Sequence, residues 1–154
     1  MEPRPRTRDV LAELQRLRTG VPLLSGALVA GTDGIVLAHD TPDVEPETVA
    51  ALTATALGVA VRMTEATGRG DFDGLLVQGG SGRVASYAAG PSAVLTLLAD
   101  DRIDIDTLHS EGRRSAARIG ELLAPAPHGS AFAAPSAPSA RHRPPQPGPP
   151  PPRP

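Results

Sequence analysis

The chain of 154 residues contains no cysteine, no tryptophan and no lysine, and aromatic residues make up only 2% of it. Without cysteine there is no disulfide framework, no thiolate metal site and no sulfur nucleophile, so any chemistry must come from His, Ser, Asp, Glu or Arg. Without lysine, Gly31-Thr32-Asp33-Gly34 cannot serve as a Walker-type phosphate loop. No run approaches about 18 consecutive apolar residues. Arg4, Arg6, Arg8, Glu13, Arg16 and Arg18 occupy the stretch where a secretory leader needs its apolar core. The expectation is a cytoplasmic protein with no membrane partner.

The formal charge of −2 conceals an asymmetry, because residues 8–124 carry 10 arginines against 16 acids, while the segments on either side are net positive. An acidic body whose aromatics are Phe72 and Tyr87 offers neither a phosphate-neutralising patch nor stacking platforms. Nucleic acid is therefore not an expected partner.

Proline divides the chain. Twelve of its 18 prolines follow Leu123. Residues 125–154 lack the apolar side chains that would offset ordering entropy, so this tail is expected to be disordered, as are residues 1–7. Arg141, Pro144 and Pro147 stand at the spacing of a proline-rich ligand for an SH3-type groove, but such spacings arise readily in proline-rich text.

The body, residues 8–124, alternates helical and strand patterns. Thr7 can cap a first helix with Val10, Leu11, Leu14 and Leu17 on one face, which Gly20 and Pro22 stop. Leu23 to Ala30 and Ile35 to Ala38 read as two strands joined at Asp33-Gly34. A second helix opens at Glu45-Pro46-Glu47 and carries two apolar stripes: Val49, Leu52, Ala56, Val59 and Met63 on one, Ala50, Ala54, Leu57 and Val61 on the other. Two stripes imply burial twice, against its own sheet and against something else, and the alanine-rich second stripe points to close helix-helix contact. Burial within a monomer core is the competing reading of the same pattern. Phe72 to Gln78, Arg83 to Ala89 and Ser92 to Ala99 form three more strands, the last apolar on both faces and hence central. A final helix begins around Asp104 to Asp106, with Ile105, Leu108, Gly112, Ala116, Ile119 and Leu123 on its inner face. The order is α-β-β-α-β-β-β-α, an α/β sandwich with a five-stranded, mainly antiparallel sheet and helices on both faces.

These words in this order resemble the roadblock family, the dynein light-chain-like (LAMTOR-type) domains of profilin-like fold. Gly26-Ala27-Leu28-Val29 through Asp33-Gly34-Ile35-Val36-Leu37-Ala38 looks like the family's opening strand pair. The alanine-rich helix follows, then Leu75-Leu76-Val77 to Gly82-Arg83-Val84, Gly90-Pro91-Ser92-Ala93-Val94-Leu95 and the closing Arg113 to Leu123. The resemblance spans nearly the whole body, and its style is similar to actinobacterial members, which often occur with a sensor kinase and a GTPase. It implies a homodimer in which the second helices pack antiparallel through Ala50, Ala54, Leu57 and Val61, and the strands bearing Leu75 and Val77 join across the subunits. It further implies a platform for a small Ras-like GTPase, whose hydrolysis such dimers can accelerate with no obligatory arginine finger. Arg62 and Arg69 are the candidate GTPase-facing residues, although as single arginines they also read as solvated surface.

Catalytic constellations are absent. Gly79-Gly80-Ser81-Gly82-Arg83 lacks the final glycine of a nucleophile elbow and leads into a strand. His39 and His109 have no metal-spaced partner, and Asp100, Asp101, Asp104 and Asp106 lack the glycine and terminal Glu of a calcium loop. Ser81, Asp71 and His109 form no visible acid-base-nucleophile set, so no enzyme, cofactor or metal is expected. A small-ligand sensory module of PAS or GAF type is the alternative reading, and it would require a cavity that these small aliphatic side chains do not suggest.

Overall fold

Alternation of side chains across paired strands fixes two different faces of one sheet. The computed structural model describes residues 5–125 together with Gly148 and Pro152, and all its helices and strands lie between Pro5 and Leu123. The strands are β1 (Leu24–Gly31), β2 (Val36–Asp40), β3 (Gly74–Gly79), β4 (Gly82–Ala88) and β5 (Ala93–Asp100), and the helices are α1 (Pro5–Gly20), α2 (Pro46–Ala66) and α3 (Ile105–Leu123). The strand order is β2-β1-β5-β4-β3, with every neighbouring pair antiparallel. The expected element order and sheet are therefore found, and β5 is central, as its two apolar faces require.

Pairing register shows which residues share a face. Ala27, Leu97, Ala85 and Leu76 form one cross-sheet row, and Val29, Leu95, Tyr87 and Gly74 form the next. These rows point into the main core, where Val10, Leu14 and Leu17 of α1 and Leu108, Ala116 and Ile119 of α3 close over them. On the opposite face run Leu28, Thr96, Ser86 and Leu75. There Ala50 of α2 packs with Leu28 and Ala30 in a much smaller cluster.

Local chemistry sets the helix ends. α1 begins at Pro5, two residues ahead of the cap expected at Thr7, because proline suits a first turn whose N–H groups lack partners anyway. Residues 5–7 thus belong to the helix and not to a disordered leader. α2 starts with Pro46 in its first turn, and in α3 the Asp104 carboxylate accepts from the Thr107 N–H at 2.9 Å. Gly34 adopts a left-handed φ of 86° in the β1–β2 turn, which lays that turn against Ala51 and Ala54 of α2. The proline-rich tail, including the Arg141, Pro144 and Pro147 spacing, lies outside the described residues apart from Pro125, Gly148 and Pro152, as do residues 1–4.

One buried acid ties α1 to α3. Glu13 is only 6% exposed, and it accepts hydrogen bonds from Arg16 Nε at 2.9 Å and from the Ser115 hydroxyl at 3.0 Å. The Arg16 hydrogen bond, opposed by burial and helped by Ser115, holds its carboxyl below the usual carboxylate range. A pKa lower in the folded than in the unfolded chain gives stability that is present above the unfolded value of about 4.3 and lost as pH falls through the folded one. Glu13→Gln is expected to lower unfolding free energy by about 1–3 kcal/mol at neutral pH and to flatten the acid limb of the stability profile. Urea unfolding at a series of pH values measures both effects.

Candidate functional site

The two stripes of α2 have different fates. The structure turns the alanine-rich stripe toward its own sheet: Ala50 and Leu57 are buried, and Ala54 and Val61 are half-buried. The other stripe is left in solvent, with Leu52 66%, Val59 57% and Met63 62% exposed. At 100° per residue these three fall within about 40° of one another, so they form a continuous ridge. The face available to another molecule is therefore this ridge and not the stripe of Ala50, Ala54, Leu57 and Val61. The β1–β2 turn lies on that side, and a Cβ at Gly34 would be in van der Waals contact with Ala54 at 3.5 Å.

Beside the ridge lies an apolar groove of about 380 Å³, walled by Val49, Leu52 and Ala56 of α2 and floored by Leu75, Val77, Val84 and Leu98. Ser86 lines its floor, and its buried hydroxyl is hydrogen-bonded at 3.0 Å to that of Thr96 on β5, which satisfies both without water. Leu75 is half-buried and Val77 is 50% exposed on β3, the strand at one edge of the sheet. Ridge, groove and unpaired edge are contiguous. Such a surface is costly to leave in water and templates further strand pairing.

α2 is 21 residues long and apolar enough, by length and composition, to cross a membrane. It is also amphipathic in place, docked on β1 and β2 through Ala50, Thr53, Leu57 and Ala60, with Glu47, Arg62 and Glu65 exposed. A helix seated by one face on its own sheet reads as a protein-contact element.

The two candidate arginines are not brought together. Arg62 is exposed on α2, whereas Arg69 follows the helix in a loop and lines a separate polar cleft with Thr64, Asp71, Asp73, Tyr87, His109 and Arg113. In the sequence His109 has no metal-spaced partner and belongs to no catalytic set. The structure places its Nδ1 2.7 Å from the Tyr87 hydroxyl, with the two rings edge to face. Burial pushes the Tyr87 phenol up to about 12, so it stays protonated at neutral pH. Ser81 is exposed in the β3–β4 turn and does not line this cleft. No group of three or more His, Cys, Asp or Glu among the described residues could hold a metal ion.

The Roadblock/LC7 domain family matches residues 10–99. An uncharacterized protein of Methanocaldococcus jannaschii is 31% identical over 115 residues, spanning 74% of this chain and 93% of its own. The chain belongs to the Roadblock/LC7 domain family. Among solved structures, the gliding protein MglB of Thermus thermophilus superposes with a TM-score of 0.71 at 20% identity, covering 79% of this chain and 97% of that one. A Roadblock/LC7 domain from Streptomyces avermitilis gives 0.69 at 22% identity, covering 73% and 96%. Acanthamoeba castellanii profilin IA gives 0.55 at 16% identity over 72% and 97%, which places the roadblock fold beside that of profilin. These likenesses show the fold.

Within the roadblock domain the two stripes of α2 make separable contributions. Leu57→Ala is expected to lower unfolding free energy by about 2–4 kcal/mol at any protein concentration, because it empties a site inside the protomer. Leu52→Ala should stay within about 0.5 kcal/mol in dilute solution, as befits an exposed position. Denaturant titrations at low and high protein concentration distinguish the two.

Proposed function

We propose that this chain is a non-catalytic, homodimeric regulator or scaffold that binds a small Ras-like GTPase and modulates its GTP hydrolysis in the cytoplasm. The observation that carries this reading is the continuous apolar surface formed by the Leu52, Val59 and Met63 ridge, the groove beside it and the unpaired β3 edge. A second copy supplies the same three features in reverse, which is the self-complementarity that a two-fold interface requires. Its α2 ridge would cover the groove, and its β3 would pair with this β3, bringing Leu75 and Val77 of both copies out of water. Ala50, Ala54, Leu57 and Val61 then support the interface from below and do not form it.

The GTPase role rests on the resemblance to bacterial roadblock regulators. Arg62, exposed on the helix that would line the two-fold axis, is the candidate GTPase-facing residue on this side, with Arg69 in the loop that follows the helix as the second candidate. A sensor kinase of the same system is a further proposed partner. A dimer of this kind would act by ordering the GTPase's own catalytic loop, so it needs no acid, base or metal of its own.

Two measurements test the two halves of the proposal. Leu52→Glu places an unpaired charge in the interface and is expected to weaken dimerisation at least about a hundredfold, seen by sedimentation, while the protomer stays folded. A variant as dimeric as the parent would remove this interface. Pull-down from native lysate with the tagged full chain, in parallel with a GTP analogue and with GDP, should recover a small GTPase preferentially with one nucleotide. Recovery of no GTPase from a lysate shown to contain one would sink the regulatory reading and leave the dimer intact.

A further inference from the structure

The polar cleft around Arg69 lies on the sheet face opposite the dimer ridge. Gly74 and Leu76 line it, and their rows point toward α1 and α3, whereas Leu75 and Val77 face the groove under α2. The cleft measures about 350 Å³, at the small end of the range for small-molecule sites.

Its construction is specific. A Cβ on Gly112 of α3 would collide with the Tyr87 ring, and one on Gly74 would approach the same ring to 3.3 Å. Two glycines thus flank the ring and let it pass beneath α3, so that the hydroxyl reaches His109. The rim is equally constrained: Gly68 and Gly70 both take left-handed φ, at 64° and 87°, on either side of Arg69. The Arg69 N–H donates to the Thr64 carbonyl at 2.8 Å, which fixes the loop to the last turn of α2.

The charges on this rim divide into satisfied and unsatisfied ones. Arg113 and Asp73 already pair at 2.6 Å. Arg69 and Asp71 make no ion pair and no side-chain hydrogen bond among the described residues, with each other or with any neighbour. A bare anion would meet Asp71 and Asp73, and a bare cation would meet Arg69 and Arg113. A ligand bearing one charge of each sign resolves both conflicts, and the half-buried Leu76 offers an apolar contact for the rest of it.

We propose that this cleft binds a free α-amino acid, with its carboxylate on Arg69, its ammonium on Asp71 and its side chain against Leu76. The site does not use the dimer ridge; it shares Arg69 with the proposed GTPase-facing surface, so Asp71→Asn, at a residue that surface does not use, is the variant that separates the two readings.

The test uses the ¹⁵N-labelled full chain titrated with the common L-amino acids one at a time, and with acetate and methylammonium as the two halves of the zwitterion. At least one amino acid with an apolar side chain should give saturable shifts confined to the amides of residues 69–76 and 109, with a Kd of about 1 mM or tighter. Each half alone should bind at least about tenfold more weakly. Arg69→Ala and Asp71→Asn should each weaken binding by about tenfold or more, with thermal melts unchanged because both side chains are exposed. The proposal is overturned if no amino acid shifts these amides at about 10 mM, if both variants bind like the parent, or if acetate binds as tightly as the amino acid, which would mark a simple anion site.

Discussion

One helix cannot cover a five-stranded sheet. Strands about 4.8 Å apart make such a sheet roughly 19 Å wide between its outer strands, and an α-helix with its side chains is only about 10 Å across. On one face two helices, α1 and α3, solve the problem together and enclose the main core. On the other, α2 alone docks on β1 and β2, and the face of β5, β4 and β3 is left with a groove lined by Leu75, Val77, Val84 and Leu98. The exposed ridge of α2, the apolar floor and the open β3 edge all follow from that shortfall. The function proposed for the chain is a way of making it good with a second copy.

Much of this arrangement is legible in the residues. The helix and strand periods, the turn at Asp33-Gly34 and the doubly apolar β5 lead to the observed element order and to a central β5. The two stripes of α2 are also visible, but not which of them faces inward. Small residues announce close approach without naming the neighbour that approaches, and here it is the Gly34 turn and the Leu28–Ala30 strand that come close to Ala50 and Ala54. The larger Leu52, Val59 and Met63, which look more core-like by hydrophobicity, stay outside. The helix start at Pro5 is masked in the sequence for a simpler reason, since a serine or threonine cap is a stronger local signal than a proline in a first turn.

The polar cleft was not legible at all. Arg113 meets Asp73 across 40 positions and Tyr87 meets His109 across 22, and neither spacing is a motif. The only local hint was the pair of glycines around Arg69, a signature of constrained backbone that says nothing about what the loop faces. Gly112 is similar: within the helical pattern it reads as a small inner-face residue, and only the structure shows that it makes room for a tyrosine ring. The likeness to profilin carries the same lesson at the level of the fold, because a shared scaffold leaves open which of its surfaces is used.

The two edges of the sheet are unlike. β2 is only five residues long, its pairing with β1 is broken by an irregularity at Val29/Ala30, and its Asp40 is held by Arg18 of α1 at 2.7 Å. Irregular and charged, it makes a poor template for another strand, whereas β3 at the far side pairs regularly with β4 and carries no charged residue. A sheet with one blunt end and one receptive end can add a single mirror-ordered sheet and then presents only blunt ends. In the proposed dimer the count of subunits along the sheet would be capped at two, and a surface that could otherwise seed fibres would serve as a stoichiometric device.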